Sequence, residues 1–348
     1  MMPLQPLLQI PGYSNFGIAW SPFIPNRLAL ASSANFGLVG NGRLHILSSL
    51  GPLGKVQIDQ YYDNKDSIFD LAWSELNQNQ LVTAGGDGNI KLYDLNLQDF
   101  PIKNFHEHSR EVMSIDWSNL NKEIFASCSW DGSIKLWSPD RQTSLVTILA
   151  HQACVYATQF SPHSPNLLGS SSEDGTFKLW DLRLPDTRTS GTISGSGGAR
   201  AVVEIRCMNG GEVLSFDWNK YKEGIIATTL TDSSIQTYDL RANRLSAPTS
   251  TVIPSNVGPT SLPVHRLEGH VYPAKKVAWS PWRADVLASG GYDMTTRVWS
   301  TIRPSPTFLV ATQSAHTEFV AGLAWSLFEE GILMTCGWDG RVCPWKPV

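Results

Sequence analysis

Four times along this chain a histidine is followed nineteen residues later by a hydroxyl, and four residues after that by an aspartate. The sets are His108, Ser127 and Asp131; His151, Ser170 and Asp174; His270, Ser289 and Asp293; His316, Thr335 and Asp339. These residue types serve nucleophilic catalysis, in which an imidazole takes the hydroxyl proton and a carboxylate orients the imidazole. Four copies at one spacing cannot each be an active site. A constant spacing is a property of the frame that carries it, so the frame has to be read next.

Six residues beyond each aspartate stands a tryptophan, Trp137, Trp180, Trp299 and Trp345, which turns the four triads into tetrads. The stretch from His108 to Trp137 holds an apolar run ending in Trp117, a second around Ile124 to Ser129, an Asp131-Gly132 turn and a third run ending in Trp137. That is the pattern of three short strands joined through one hairpin. Taking the aromatic that ends the first strand as an anchor, the unit recurs at Trp20, Trp73, Trp117, Phe160, Trp218, Trp279 and Trp325. Fourteen residues after the last six anchors comes an aspartate, and twenty residues after them an aromatic. In the first unit both landmarks arrive seven residues late, at Asn41 and Leu47, as though NFGLVGN carried an insertion.

Self-similarity at a period of ~40 to 45 residues, with His and Trp-Asp landmarks, is the signature of a WD-repeat β-propeller. The expected architecture is all-β, seven-bladed and a single domain over residues 1–348. Repeats that lean on their neighbours do not divide into independent halves. The second to fourth units run from about residue 55 to 205, and the sixth and seventh from about His265. The last unit is one strand short, so a strand from about Leu7 to Ile10 is expected to complete it and remove an open sheet edge. Two Ser/Thr/Gly/Pro-rich stretches, about 185–198 and 246–263, read as flexible insertions at a blade edge before the next repeat.

Composition narrows the partners. A net charge of −4 without a Lys/Arg run excludes a general nucleic-acid binder, which would show a basic patch. Five scattered cysteines with no CxxC pair read as free thiols of a reducing compartment, and no spacing suggests a metal or a cofactor. No leader pattern or membrane-length apolar run is present, so a soluble cytosolic protein is expected.

The WD-repeat resemblance implies that each tetrad is a buried hydrogen-bond chain joining the loop, strands and turn of one blade. Bonds to an ionised member of such a chain contribute ~1.5 to 3 kcal/mol each. The second and fifth units have Asn64 and Asn209 in place of the histidine and are expected to be looser. With its hydroxyls consumed in this way, the chain reads as no enzyme, and function has to come from a surface. The His loops and Asp turns open onto one face, the narrower, around the central channel. Beside these landmarks lie Trp130, Glu173, Tyr292 and Trp338 just before the turn aspartates, Glu111, Glu212 and Phe319 six before anchors, and Asp66. Aromatics interleaved with acids suggest a partner peptide or helix with apolar and basic groups.

Several segments narrow the family. FGIAWSPF with NRLALASSANFGLVGNGRLHIL, REVMSIDW, LSFDWNKY, and HTEFVAGLAWSL with GWDG resemble the peroxin-7 family, receptors for the type 2 peroxisomal targeting signal. The first-blade insertion weighs most, because it is not generic to propellers. The resemblance implies a receptor in the cytosol that shuttles to the peroxisome and its matrix. Its cargo carries an N-terminal nonapeptide of the form Arg/Lys, Leu/Val/Ile, five residues, His/Gln, Leu/Ala, as in 3-ketoacyl-CoA thiolase. A co-receptor and a docking complex at the peroxisomal membrane complete the partners. Read as a helix, that peptide puts its basic and apolar positions along one stripe. Glu111 and Glu212, with Asp66 and Glu173, are then expected to meet the basic positions, and Trp130, Tyr292, Trp338 and Phe319 the apolar ones. The alternative is a scaffold propeller that uses the same face for another peptide motif.

Overall fold

The run Val112–Trp117 shows why each unit begins as a strand: its β-branched and aromatic residues Val112, Ile115 and Trp117 are buried, while Met113 and Asp116 are half-buried. It pairs antiparallel with Phe125–Ser129, which turns through Asp131 and Gly132 into Ser133–Trp137, and Val146–Leu149 completes the sheet. Gly132 has φ +81°, and a Cβ there would meet the His151 carbonyl oxygen at 2.8 Å, so this turn requires glycine.

The computed structural model describes residues 8–49, 51, 54–98, 100–183, 199–207, 211–242, 262–304 and 306–347. Among them are seven four-stranded antiparallel sheets, the blades of a propeller, and no helix long and apolar enough to cross a membrane. Blade 1 is Ser14–Trp20, Arg27–Ser33, Gly42–Ser49 and Val56–Asn64. Blade 7 takes its fourth strand from the other end of the chain: Leu8 lies opposite Val342 and Gln9 opposite Arg341, and the Ile10 N–H donates to the Gly340 carbonyl at 2.9 Å. The expected closure by an N-terminal strand is therefore present.

Two boundaries differ from the sequence reading. Repeats and blades are offset by one strand: Val56–Asn64 is the outer strand of blade 1 and His265–Leu267 that of blade 5, so each repeat straddles a joint. The stretch 185–198 and nearly all of 246–263 lie outside the described residues, but their flanks are placed. Asp181 pairs with Arg200 and Thr237 with His265, so both insertions interrupt the outer hairpin of their own blade rather than preceding the next. In blade 1 the late landmarks resolve as expected: Leu47 sits opposite Leu28, and the extra residues form the hairpin tip, where Asn35 and Phe36 take φ 49° and 56°.

The core is not central. Seven apolar clusters are found among the described residues, and each spans one blade boundary. Both faces of every sheet are thereby buried, which is why the middle strands Phe125–Ser129 and Leu333–Gly337 are buried at every residue. The ring is thus a set of neighbour interfaces, the energetic arrangement of a repeat protein closed on itself.

Candidate functional site at the channel mouth

Three of the four tetrads close as complete chains, and in blade 7 the Trp345 indole does not bond to Thr335. With its ring proton on Nδ1, His108 donates to Asp131 at 2.9 Å and accepts the Ser127 hydroxyl at Nε2, 2.8 Å; the Trp137 indole donates to the same hydroxyl oxygen at 2.8 Å. His151, Ser170, Asp174 and Trp180 repeat this with 2.8, 2.8 and 2.9 Å, and His270, Ser289, Asp293 and Trp299 do likewise. In blade 7 His316 joins Thr335 and Asp339, and Thr335 donates instead to the Cys343 carbonyl. Burial works against the Asp131 carboxylate, but its bonds from His108 and Ser133 hold it well below the usual carboxylate range; Asp174 and Asp293 follow the same balance. Ser127, Ser170, Ser289 and Thr335 are each 0% exposed, so no substrate reaches these hydroxyls.

The units without histidine are filled rather than left open. Between blades 1 and 2 the Asn64 side-chain carbonyl accepts Lys91 Nζ while its amide donates to the Asp66 carbonyl. In blade 5 Tyr238 donates to Gln236, Gln236 to Ser234, and Ser234 to Asp232, which also accepts Arg266. Asn209 lies outside the described residues. In blade 5 Gln236 thus occupies a place in the chain that a histidine takes elsewhere, which the sequence reading did not include.

A second regularity builds the channel. The innermost strand of every blade carries a β-bulge near its start, and the extra residue is Phe16, Phe69, Met113, Tyr156, Leu214, Lys275 or Ala321. A bulge re-aims one side chain out of the pleat. All seven of these residues line one cavity of about 280 Å³ at the channel mouth, together with Phe36, Trp130, Tyr292 and Trp338. Below it, Asp70, Ser114 and Lys276 are shared with a cavity of about 230 Å³ at the opposite mouth. The bulge residue always falls four before the anchor, a count that would have found Phe16, Phe69 and Lys275; none of them was singled out from the sequence.

The expected aromatics come together, and more join them. Ring centroids run from Tyr292 to Phe319 at 4.8 Å, Phe319 to Trp338 at 5.1 Å, Trp338 to Phe16 at 5.4 Å, and Phe16 to Phe69 at 5.3 Å. Phe36, half exposed on the blade 1 insertion, sits 5.9 Å from Trp338, beside the solvent-facing Leu38 and Val39. The result is a ladder from blade 6 through blades 7 and 1 to blade 2, its rungs half-buried against one another rather than standing free. Trp130 lines the same cavity from blade 3, with the Arg110 guanidinium 5.5 Å above its ring.

The acids occupy the other arc, blades 2 to 5, and none lines the cavity. Glu111 is 3.7 Å from Arg110; Glu173 accepts the Cys154 N–H at 3.2 Å; Glu212 accepts the Tyr156 hydroxyl at 2.9 Å; Asp66 accepts the Ser67 N–H at 2.7 Å. Each retains lone pairs, since a carboxylate has about four acceptor sites. No group of three His, Cys, Asp or Glu side chains able to hold a metal exists among the described residues, and all five cysteines are free.

Residues 55–94, 100–138, 142–181 and 261–300 match the WD domain, G-beta repeat family. A Saccharomyces cerevisiae protein named peroxisomal targeting signal 2 receptor is 35% identical, covering 96% of this chain and 97% of its own length. The Homo sapiens protein of that name is 34% identical over 91% of this chain and 87% of its own. Peroxisome biogenesis protein 7 of Arabidopsis thaliana is 34% identical over 98% and 97%.

Proposed function

Because this chain belongs to the WD-repeat family of peroxisomal targeting signal 2 receptors, we propose that it binds the N-terminal type 2 signal of peroxisomal matrix proteins as an amphipathic helix laid across the channel mouth. The observation that carries the reading is the division of this face, with an aromatic ladder from Tyr292 to Phe69 on one arc and the four acids on the other. A helix with apolar and basic positions on one stripe matches such a face when its axis lies along the divide. Glu111 and Glu212, flanked by Asp66 and Glu173, meet the basic and His positions; Trp338, Phe319, Tyr292 and Trp130 meet the apolar ones.

Exposed ion pairs contribute only ~0 to 1 kcal/mol each, so the aromatics supply most of the affinity. A helix on an open face keeps its far side in water, and a second protein that covers it adds buried area. That is the place of a co-receptor in this reading. Thiolases such as 3-ketoacyl-CoA thiolase are the cargo class, and the loaded receptor moves from the cytosol to a docking complex at the peroxisomal membrane.

Fluorescence anisotropy of a labelled type 2 signal helix, with and without a co-receptor, tests the proposal against a peptide whose Arg and His are both Ala. Binding lost in the double-Ala peptide is the expected result. Equal binding of the two peptides would leave a scaffold propeller that takes some other motif.

A further inference from the structure

One cation stands in the ring of bulge residues at the throat. Lys275 extends from blade 6 into the cavity, where its ammonium lies 5.4 Å from the centroid of the Tyr156 ring. Among the described residues it makes no hydrogen bond and no ion pair, although the face around it is rich in carboxylates. Glu212 is engaged by the Tyr156 hydroxyl, and Asp70 lies one tier down the channel beside the second lysine, Lys276. The blade next to Lys275 contributes Ala321, the smallest member of the ring, so the free space of the cavity adjoins the ammonium.

A half-buried ammonium that no protein group pairs keeps its N–H donors and its charge available to a ligand. Burial, then the neighbouring Lys276, depress the Lys275 ammonium to about 8, more than the carboxylates of Asp70 and Glu212 restore. An aromatic face beneath a cation contributes but leaves its N–H donors unused. The vacant groups therefore call for one monoanion, and the walls of Phe16, Met113 and Trp130 call for an apolar carrier.

We infer that the throat is a carboxylate subsite: Lys275 receives the carboxylate of an acidic side chain flanked by apolar residues, carried on a partner segment that plugs the channel mouth. A phosphate would need more donors than one ammonium and a screened second one. The subsite rests on the cavity and the unpaired lysine, not on the type 2 signal reading, and it repels basic residues from the throat.

The test uses the full chain and small probes, so it is independent of cargo binding. Saturation-transfer NMR compares 3-phenylpropionate with 3-phenylpropionamide, and the capped peptides Leu-Glu-Leu with Leu-Gln-Leu. The acid form is expected to bind about tenfold more tightly than its amide, and Lys275→Met is expected to erase that difference. A preference in the peptide pair supports a protein side chain as the occupant; a preference confined to 3-phenylpropionate overturns that occupant in favour of a free organic acid. Equal binding of acids and amides, or an unchanged preference in Lys275→Met, overturns the subsite. Should that variant fail to fold, the wild-type preference must still decline as pH rises past the Lys275 value, with Tyr156, Lys276, Asp70, Cys128 and Glu212 the other titratable groups nearby; a preference constant to pH 10 also overturns it.

Discussion

The carboxylate of Asp116 accepts the backbone N–H of Phe160 at 2.7 Å, across the boundary between blades 3 and 4. Phe160 is the only anchor that is not a tryptophan. Where the anchor is Trp20, Trp73, Trp218 or Trp325, its indole reaches back to the carbonyl of Ala324, Ala19, Gln159 or Ala278, the residue preceding the anchor of the blade before. At the remaining joints an aspartate acts instead: Asp70 accepts the Ile115 N–H and Asp217 the Trp279 N–H. Every blade boundary thus carries one inner-strand bond, by indole or by carboxylate.

Asp116 makes its joint sensitive to pH. Burial raises its carboxyl to about 7 against the favourable Phe160 N–H and Lys220, and Asp70 and Asp217 push the same way as burial. A proton held more tightly folded than unfolded gives stability that is fully present below the unfolded value of 3.8 and lost as pH rises towards 7. Asp116→Asn retains an acceptor for Phe160 but cannot ionise. Its stability relative to wild type should therefore rise by ~1–2 kcal/mol between pH 4 and 8, read from urea midpoints; a difference that does not change with pH refutes the assignment.

The tetrads respond in the opposite sense. Asp131 is held low by His108 and Ser133, so its contribution is complete above the ordinary carboxylate range and lost as pH falls through it. His151 is pulled down by burial ahead of the opposing Asp174, so its contribution is lost as pH falls below 6.5. Asp131→Ala strands the buried His108 N–H and should cost ~1–3 kcal/mol at pH 7.5. Thermal unfolding should also show the variant less sensitive to acid than wild type.

Trp338 touches Phe16, Phe36 and Phe319, the largest number of ladder neighbours of any ring. Trp338→Ala should weaken signal-peptide binding by ~2 kcal/mol or more. Glu111→Lys should abolish binding while leaving the melting temperature nearly unchanged, because Glu111 has only the 3.7 Å approach of Arg110 to lose. A large fall in melting temperature for Glu111→Lys would assign that residue to the fold instead.

The thiols are predicted to be inert. Burial raises Cys207 to about 11 and Cys343 to about 12, and Cys154 reaches about 11 through burial and the adjoining Glu173. Ellman's reagent at pH 7.5 should modify at most Cys154, slowly, in the native protein and all five thiols in guanidinium. Rapid native modification of more than one would contradict the packing.

Much of this was legible because it repeats. His108 to Asp131 is one interval copied four times, and the strand missing from the last repeat pointed to about Leu7 to Ile10, where Leu8–Gln9 pairs with blade 7. The bulge residues were not legible by type, because Phe16, Met113 and Lys275 share no chemistry, only a position whose side chain a backbone irregularity redirects. Glu212 and Glu173 were picked out as partners for basic groups, and the bond that each already accepts from its own face could not be read from the repeat. Gln236 was missed for the reverse reason: a substitution inside the repeat looks like a loss until the replacement side chain is traced.

The pairing of Leu8 with Val342 also sets a timetable. On a ribosome Leu8–Gln9 must wait for Arg341–Trp345, while blades 1 to 6 have all their strands before blade 7 is complete. Contacts between neighbouring repeats form early, and the one contact that spans the chain forms at the end. Until Leu8–Gln9 and Arg341–Trp345 have paired, the growing chain is an open arc with Ile332, Met334 and Cys336 uncovered at one end and Ile18 and Leu30 at the other. A cell making this protein has to shelter two apolar edges that the finished molecule never shows.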